Sequence, residues 1–156
     1  MADEPFVQED FRVLTPEAFD FVLNNELKRA VRSQNYLTLV LVEPQAEGRA
    51  RHEAAREIAH LVSREVRETD LLSATPEGRL SMVLLDADLQ NSMRVIDRLM
   101  TRLEHYQFSS PLAIEVGAAC CPTHGADADT LRRVAEARTG MPRRQPGARS
   151  NASNAQ

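Results

Sequence analysis

Arg67 and Asp70, set three positions apart in the run Arg67-Glu68-Thr69-Asp70, put a guanidinium beside a carboxylate. A guanidinium is planar and always charged, and its fork donates two parallel hydrogen bonds to a phosphate or carboxylate and stacks on a base. The same pair, where a helix gives way to a strand, can also form an ordinary surface ion pair, which contributes about 0–1 kcal/mol. After five intervening residues comes Pro76-Glu77-Gly78-Arg79-Leu80, whose first four residues lie between two apolar stretches, 71–74 and 80–85. Pro76 and Gly78 mark a turn there, so the two stretches predict a hairpin. Further along, Arg94 and Arg98 stand one helical turn apart and share a face. Glu43 ends an apolar run and reads as a solvated acid at a strand end.

Metal and nucleophile chemistry find little support. His52 and His60 lie two turns apart on one helix, too far to share a metal directly. His124 precedes Gly125 in a turn, which suits a surface role, and His105 adds no partner. Cys120 and Cys121 are the chain's two cysteines. As strand neighbours they point to opposite faces, which makes a poor disulfide and suits small core hydrophobes.

The chain has 156 residues, 27% charged and 42% hydrophobic, enough for one domain with a real core. Its formal charge of -4 argues against general nucleic-acid binding. No apolar run is long enough to span a bilayer, and Met1-Ala2-Asp3-Glu4 opens no signal peptide. The expectation is a cytoplasmic protein with no membrane partner.

Thr15-Pro16-Glu17 is a helix start, with Phe19, Leu23, Leu27, Ala30 and Val31 recurring at helical spacing. The apolar run 36–43 predicts a strand covered on both faces, closed by a break from Pro44 to Gly48. A second helix is expected from about Arg51 to Arg67, burying Ala54, Ala55, Ile58, Leu61, Val62 and Val66. After the hairpin, Asp88 caps a third helix whose stripe is Met93, Ile96, Leu99, Met100 and Leu103. A strand over 111–121 and a short helix capped by Asp127 or Asp129 complete the order α-β-α-β-β-α-β-α. That order predicts an α/β (α+β) mixed sheet flanked by helices. Residues 1–12 read as a flexible acidic lead, 13–139 as the domain, and 140–156 as a disordered basic tail with Arg143, Arg144 and Arg149.

This layout resembles the GGDEF family of diguanylate cyclases, which join two GTP molecules into cyclic di-GMP on a palm-like sheet. Four segments carry the resemblance: Glu26-Leu27-Lys28-Arg29-Ala30-Val31-Arg32 leading to the strand that ends at Glu43; Arg67-x-x-Asp70; the strand 80–85; and Val116-Gly117-Ala118-Ala119-Cys120-Cys121-Pro122 with Gly125, Asp127 and Leu131. The resemblance implies that Glu43 stands at a metal-binding position. It implies that Arg67 and Asp70 match the family's inhibitory site for cyclic di-GMP, with Arg98 as its second arginine. Aligned on Asp70 without a gap, the signature's two glycines fall on Pro76 and Glu77, its acids on Gly78 and Arg79, and its aromatic residue on Leu80.

Those replacements remove an amide donor, add a negative charge where phosphate should approach, and reverse a charge at a ligand position. Pro44-Gln45-Ala46-Glu47-Gly48 also shortens the segment that recognises guanine in the family, Glu115 replaces a serine, and only Arg143 offers a terminal cation. The expectation is therefore a catalytically inactive signalling protein without cofactor or metal. It would receive cyclic di-GMP through Arg67, Asp70 and Arg98 and pass the signal to a separate effector protein or by self-association. The alternative is a ligand-free adaptor or dimerisation module of the same fold.

Overall fold

The computed structural model describes residues 13–46, 48–67, 69–75, 78–108 and 113–137. The acidic lead, the basic tail, and Pro76 and Glu77 of the turn expected to replace the signature lie outside the described residues.

Capping chemistry places the helices. Thr15 accepts a hydrogen bond from the Ala18 amide at 3.2 Å, and Pro16 opens α1 (Pro16–Ser33). The helix ends on Gln34 in the left-handed region (φ 59), whose amide returns to the last-turn carbonyls. Asp88 caps α3 (Leu89–His105) by accepting from the Asn91 amide at 2.9 Å. Asp127, the first of the two acids considered, accepts from the Thr130 amide and hydroxyl at the start of α4 (Ala128–Ala137). The remaining helix is α2 (Gly48–Glu65).

The sheet has five strands: β1 (Val13–Leu14), β2 (Leu37–Gln45), β3 (Leu71–Ala74), β4 (Leu80–Leu85) and β5 (Ala113–Cys121), in the order β1-β3-β4-β2-β5. β3 and β4 form the expected antiparallel hairpin, and β2 lies between β4 and β5, antiparallel to both. Period-two alternation divides β2 between two cores. Leu37, Leu39 and Leu41 face α1 and α4 with Val83, Ala119 and Cys121. Val40 and Val42 face α2 and α3 with Leu72, Leu80, Met82, Leu84 and Val116. Leu80, which the resemblance sets at the signature's aromatic position, is fully buried in the second of these cores. Both cysteines are buried and free.

Three elements differ from the sequence expectation. β1 was not anticipated: it pairs parallel with β3 through Val13↔Leu72, and Ser73 Oγ donates to the Leu14 carbonyl at 2.8 Å. A two-residue strand is too short to show a period. β2 runs through Pro44 instead of stopping at 43. Pairing with β4 ends at Val42↔Leu80 while β5 continues to Gln45↔Ala113, so Pro44 sits where β2 has an open side and a missing amide is tolerated. α2 then begins at Gly48 (φ 62), three residues earlier than Arg51. Among the described residues, no helix is long and apolar enough to cross a membrane.

Candidate ligand concavity and the β3–β4 turn

β4 carries one charged cluster at each end. Its six residues separate them by about 17 Å at strand rise.

At the start of β4, Gly78 takes φ 97 and its amide donates to the Thr75 carbonyl at 2.9 Å, closing the turn. A Cβ on Gly78 would come within 3.0 Å of the Arg51 side chain, so the glycine also leaves room for that arginine. Arg79 donates to Glu43 at 3.3 Å and to Glu136 of α4 at 2.9 Å, while Arg51 donates to the other Glu43 oxygen at 2.8 Å. Glu43 is therefore not the solvated acid expected from sequence. It is half-buried, with each oxygen held by a guanidinium. It also stands directly opposite Glu115 on β5, a like-charge pairing that these cations offset. This donor set does not fit a divalent cation: the one carboxylate at the expected ligand position is already taken by two cations, Gly78 has no side chain, and Arg79 repels a metal. Among the described residues, no group of three or more His, Cys, Asp or Glu is placed to hold one.

At the far end of β4, Asp70 is almost fully buried, with only 4% of its surface exposed. Its Oδ1 accepts the Leu85 amide at 3.1 Å and its Oδ2 accepts the Arg67 amide at 3.0 Å. The Arg67 guanidinium lies against the same carboxylate (3.3 Å) and also donates to the Leu85 carbonyl. The surface ion pair considered from sequence is therefore half right. Arg67 is largely exposed, but Asp70 is an internal brace tying the α2–β3 connection to β4.

Arg67, Asp70 and Arg98 all line one concavity of about 420 Å³, between the end of α2 and the first half of α3. Arg94, Asn91, Asp86 and Glu65 complete its polar lining. Arg94 and Arg98 share the face that the helical spacing assigned them. A smaller concavity of about 260 Å³, lined by Glu26, Arg29, Tyr36, Thr69 and Asp86, lies beside it towards α1. His124, read as a surface residue, instead accepts the Cys120 amide at Nδ1 (2.8 Å) and braces its own turn.

Glu65, Arg51 and Arg102 were not singled out in the sequence. Glu65 takes Arg98 on Oε1 at 3.2 Å and Arg102 on Oε2. Its partners lie 33 and 37 positions away, so no local spacing signals the contact.

Burial alone would raise the Glu43 carboxyl, but the hydrogen bond from Arg51 and the charges of Arg79 and Arg51 outweigh it and hold it below its ordinary value of 4.5. Burial likewise opposes, and Arg102 and Arg98 together outweigh, at Glu65, which is also lowered from 4.5. A depressed carboxyl contributes stability that is complete above the unfolded value and is lost as pH falls through the folded one. The melting temperature is therefore expected to hold steady down to about pH 4.5 and to fall below it. Glu43→Gln should flatten that fall, and an unchanged profile would refute the assignment.

The comparisons with known proteins place the fold. No protein-family model matches the sequence, and no curated protein matches it. Solved structures do. The GGDEF domain of YfiN (TpbB) from Pseudomonas aeruginosa superposes with a TM-score of 0.73 over 85% of each chain, at 16% identity. A DGC protein from Thermotoga maritima gives 0.74 over 84% of this chain and 98% of that one, at 14% identity. The coiled coil and GGDEF domain of DgcB from Caulobacter crescentus gives 0.69 over 86% and 78%, at 10% identity. The chain has the fold of GGDEF domains, a mixed sheet flanked by helices; β1 forms one edge of its sheet.

Proposed function

We propose that the protein is a non-catalytic signalling domain of the GGDEF fold that receives cyclic di-GMP in the concavity between α2 and α3. One observation carries the reading: Arg67, Arg94 and Arg98, from two separate elements, converge on a single concave surface. Guanidinium forks suit both halves of such a ligand, because they donate in pairs to phosphate or to the guanine edge and stack on bases. In this reading Asp70 does not meet guanine directly. It holds Arg67 in place. The DgcB structure, of the same fold, is of a complex with c-di-GMP, which supports the choice of ligand. The loss of catalysis is argued from the other end of β4, where Arg79 places a cation on Glu43. Occupancy would alter the surface around the α2–β3 connection and so a contact with a separate effector protein or a second copy.

Calorimetric titration with cyclic di-GMP tests the proposal. Micromolar binding is expected, weakened at least about tenfold in Arg67→Met, which keeps the aliphatic stem and removes the fork. GTP with Mg²⁺ should yield no cyclic di-GMP, and measurable product would overturn the non-catalytic half.

A ligand-free adaptor is the second reading. It is favoured by the internal partners already held by Asp70 and Arg98. No heat with cyclic di-GMP would select it.

A further inference from the structure

We propose that Glu65 is an internal counter-anion that sets the affinity of the α2–α3 concavity by holding Arg98 away from an incoming ligand. The inference rests on reading that concavity as a cyclic dinucleotide site. Glu65 is the last residue of α2, and its side chain is only 9% exposed. One carboxylate oxygen takes Arg98 and the other Arg102, both from α3, so the two helices are joined through a single half-buried acid. Arg98 lines the concavity with Glu65 beside it, whereas Arg102 does not reach the lining.

Two oxygens flanked by guanidinium donors are what a phosphate would offer the same arginine. Glu65 takes Arg98 through Nε, so a phosphodiester that engages the Nε side of the Arg98 fork competes with Glu65 for that donor, and at any donor of the fork it meets the carboxylate's negative charge at close range. The other cations of the concavity are held differently. Arg67 is tied to Asp70 and Leu85, and Arg94 makes no ion pair among the described residues. Arg98 is thus the cation whose availability Glu65 controls. Its release would free the Nε donor of Arg98 for a ligand at the lining that Arg98 already shares with Arg67 and Arg94.

The test uses Glu65→Gln, which keeps the shape and removes the charge. Two probes are titrated into wild type and variant: cyclic di-GMP, and inorganic pyrophosphate as a bare anion. The expected result is cyclic di-GMP affinity about tenfold higher in Glu65→Gln, with Arg67→Met still abolishing the gain. Melting curves accompany the titrations. Should Glu65→Gln fail to fold, Glu65→Asp withdraws the charge from α3 by one methylene and should gain affinity in the same direction, by less. A gain for pyrophosphate alone would leave Glu65 as the controlling anion while overturning the dinucleotide reading. Lower melting temperature with no gain for either probe would make Glu65 a structural strut and overturn the inference.

Discussion

Asp70→Ala should lose about 3 kcal/mol of folding stability, seen as a lower urea midpoint with an unchanged slope. The carboxylate is buried and accepts two backbone amides, those of Arg67 and Leu85. Alanine removes both acceptors at once. It leaves two donors short of partners and a guanidinium without its counter-charge, and each unsatisfied buried group costs on the order of 1–3 kcal/mol. Asp70→Asn keeps one carbonyl oxygen and should lose about half as much. A loss below about 0.5 kcal/mol in Asp70→Ala, the range of an ordinary surface substitution, would show that the brace is not made. This result also decides how binding data are read. Lost cyclic di-GMP binding in Asp70→Ala would report a disturbed β4 terminus as much as a missing contact, so Arg67→Met is the cleaner probe.

The second large effect lies at the other end of β4. Arg79→Glu should destabilise the fold by about 2–3 kcal/mol. The substitution breaks the contacts to Glu43 and Glu136 and sets a new carboxylate among acids that already include Glu115 across the strand. Broken pairs at this partial exposure contribute only about 1 kcal/mol, and like-charge repulsion supplies the rest. Burial lowers the Arg79 guanidinium's affinity for its proton, but the two glutamates more than restore it, so the cation persists across the usable pH range. Millimolar Mn²⁺ should recover part of the lost melting temperature in the variant and leave wild type unchanged, because hard cations take carboxylate oxygens. Unchanged stability in Arg79→Glu would show that the network contributes nothing.

The elements that fill the core were legible in sequence because each carries a periodic or capping signal. Thr15-Pro16, Asp88 and the apolar run 80–85 all lie where local chemistry puts them. Pro44 misled because a proline forbids only a hydrogen-bonded strand position, and whether β2 had a neighbour on that side depended on where β4 began. At the candidate site, Arg67, Asp70 and Arg98 were grouped only by the family resemblance, and all three line one concavity. The direction of Asp70 was not, since an exposed pair and a buried brace have the same three-residue spacing. The roles of Glu43 and Glu65 were hidden for a related reason. A carboxylate's state is set by which cations the fold brings to it, and Arg79, Arg98 and Arg102 all arrive from distant sequence.

The last paired position of β3 with β4 is Leu71↔Val83, so Leu85 has no strand partner on that side. Its amide meets the Asp70 carboxylate and its carbonyl meets the Arg67 guanidinium. One acceptor and one donor, side by side, are what a peptide unit offers, so the two side chains act as a surrogate rung that finishes the sheet where backbone runs out. Leu85 still pairs with Leu37 of β2 on its other side, so the rung completes the hydrogen bonding of an internal strand where β3 stops short. A ligand that recruits the Arg67 fork draws on half of that rung. Occupancy and fraying at the end of β4 would then be linked in both directions.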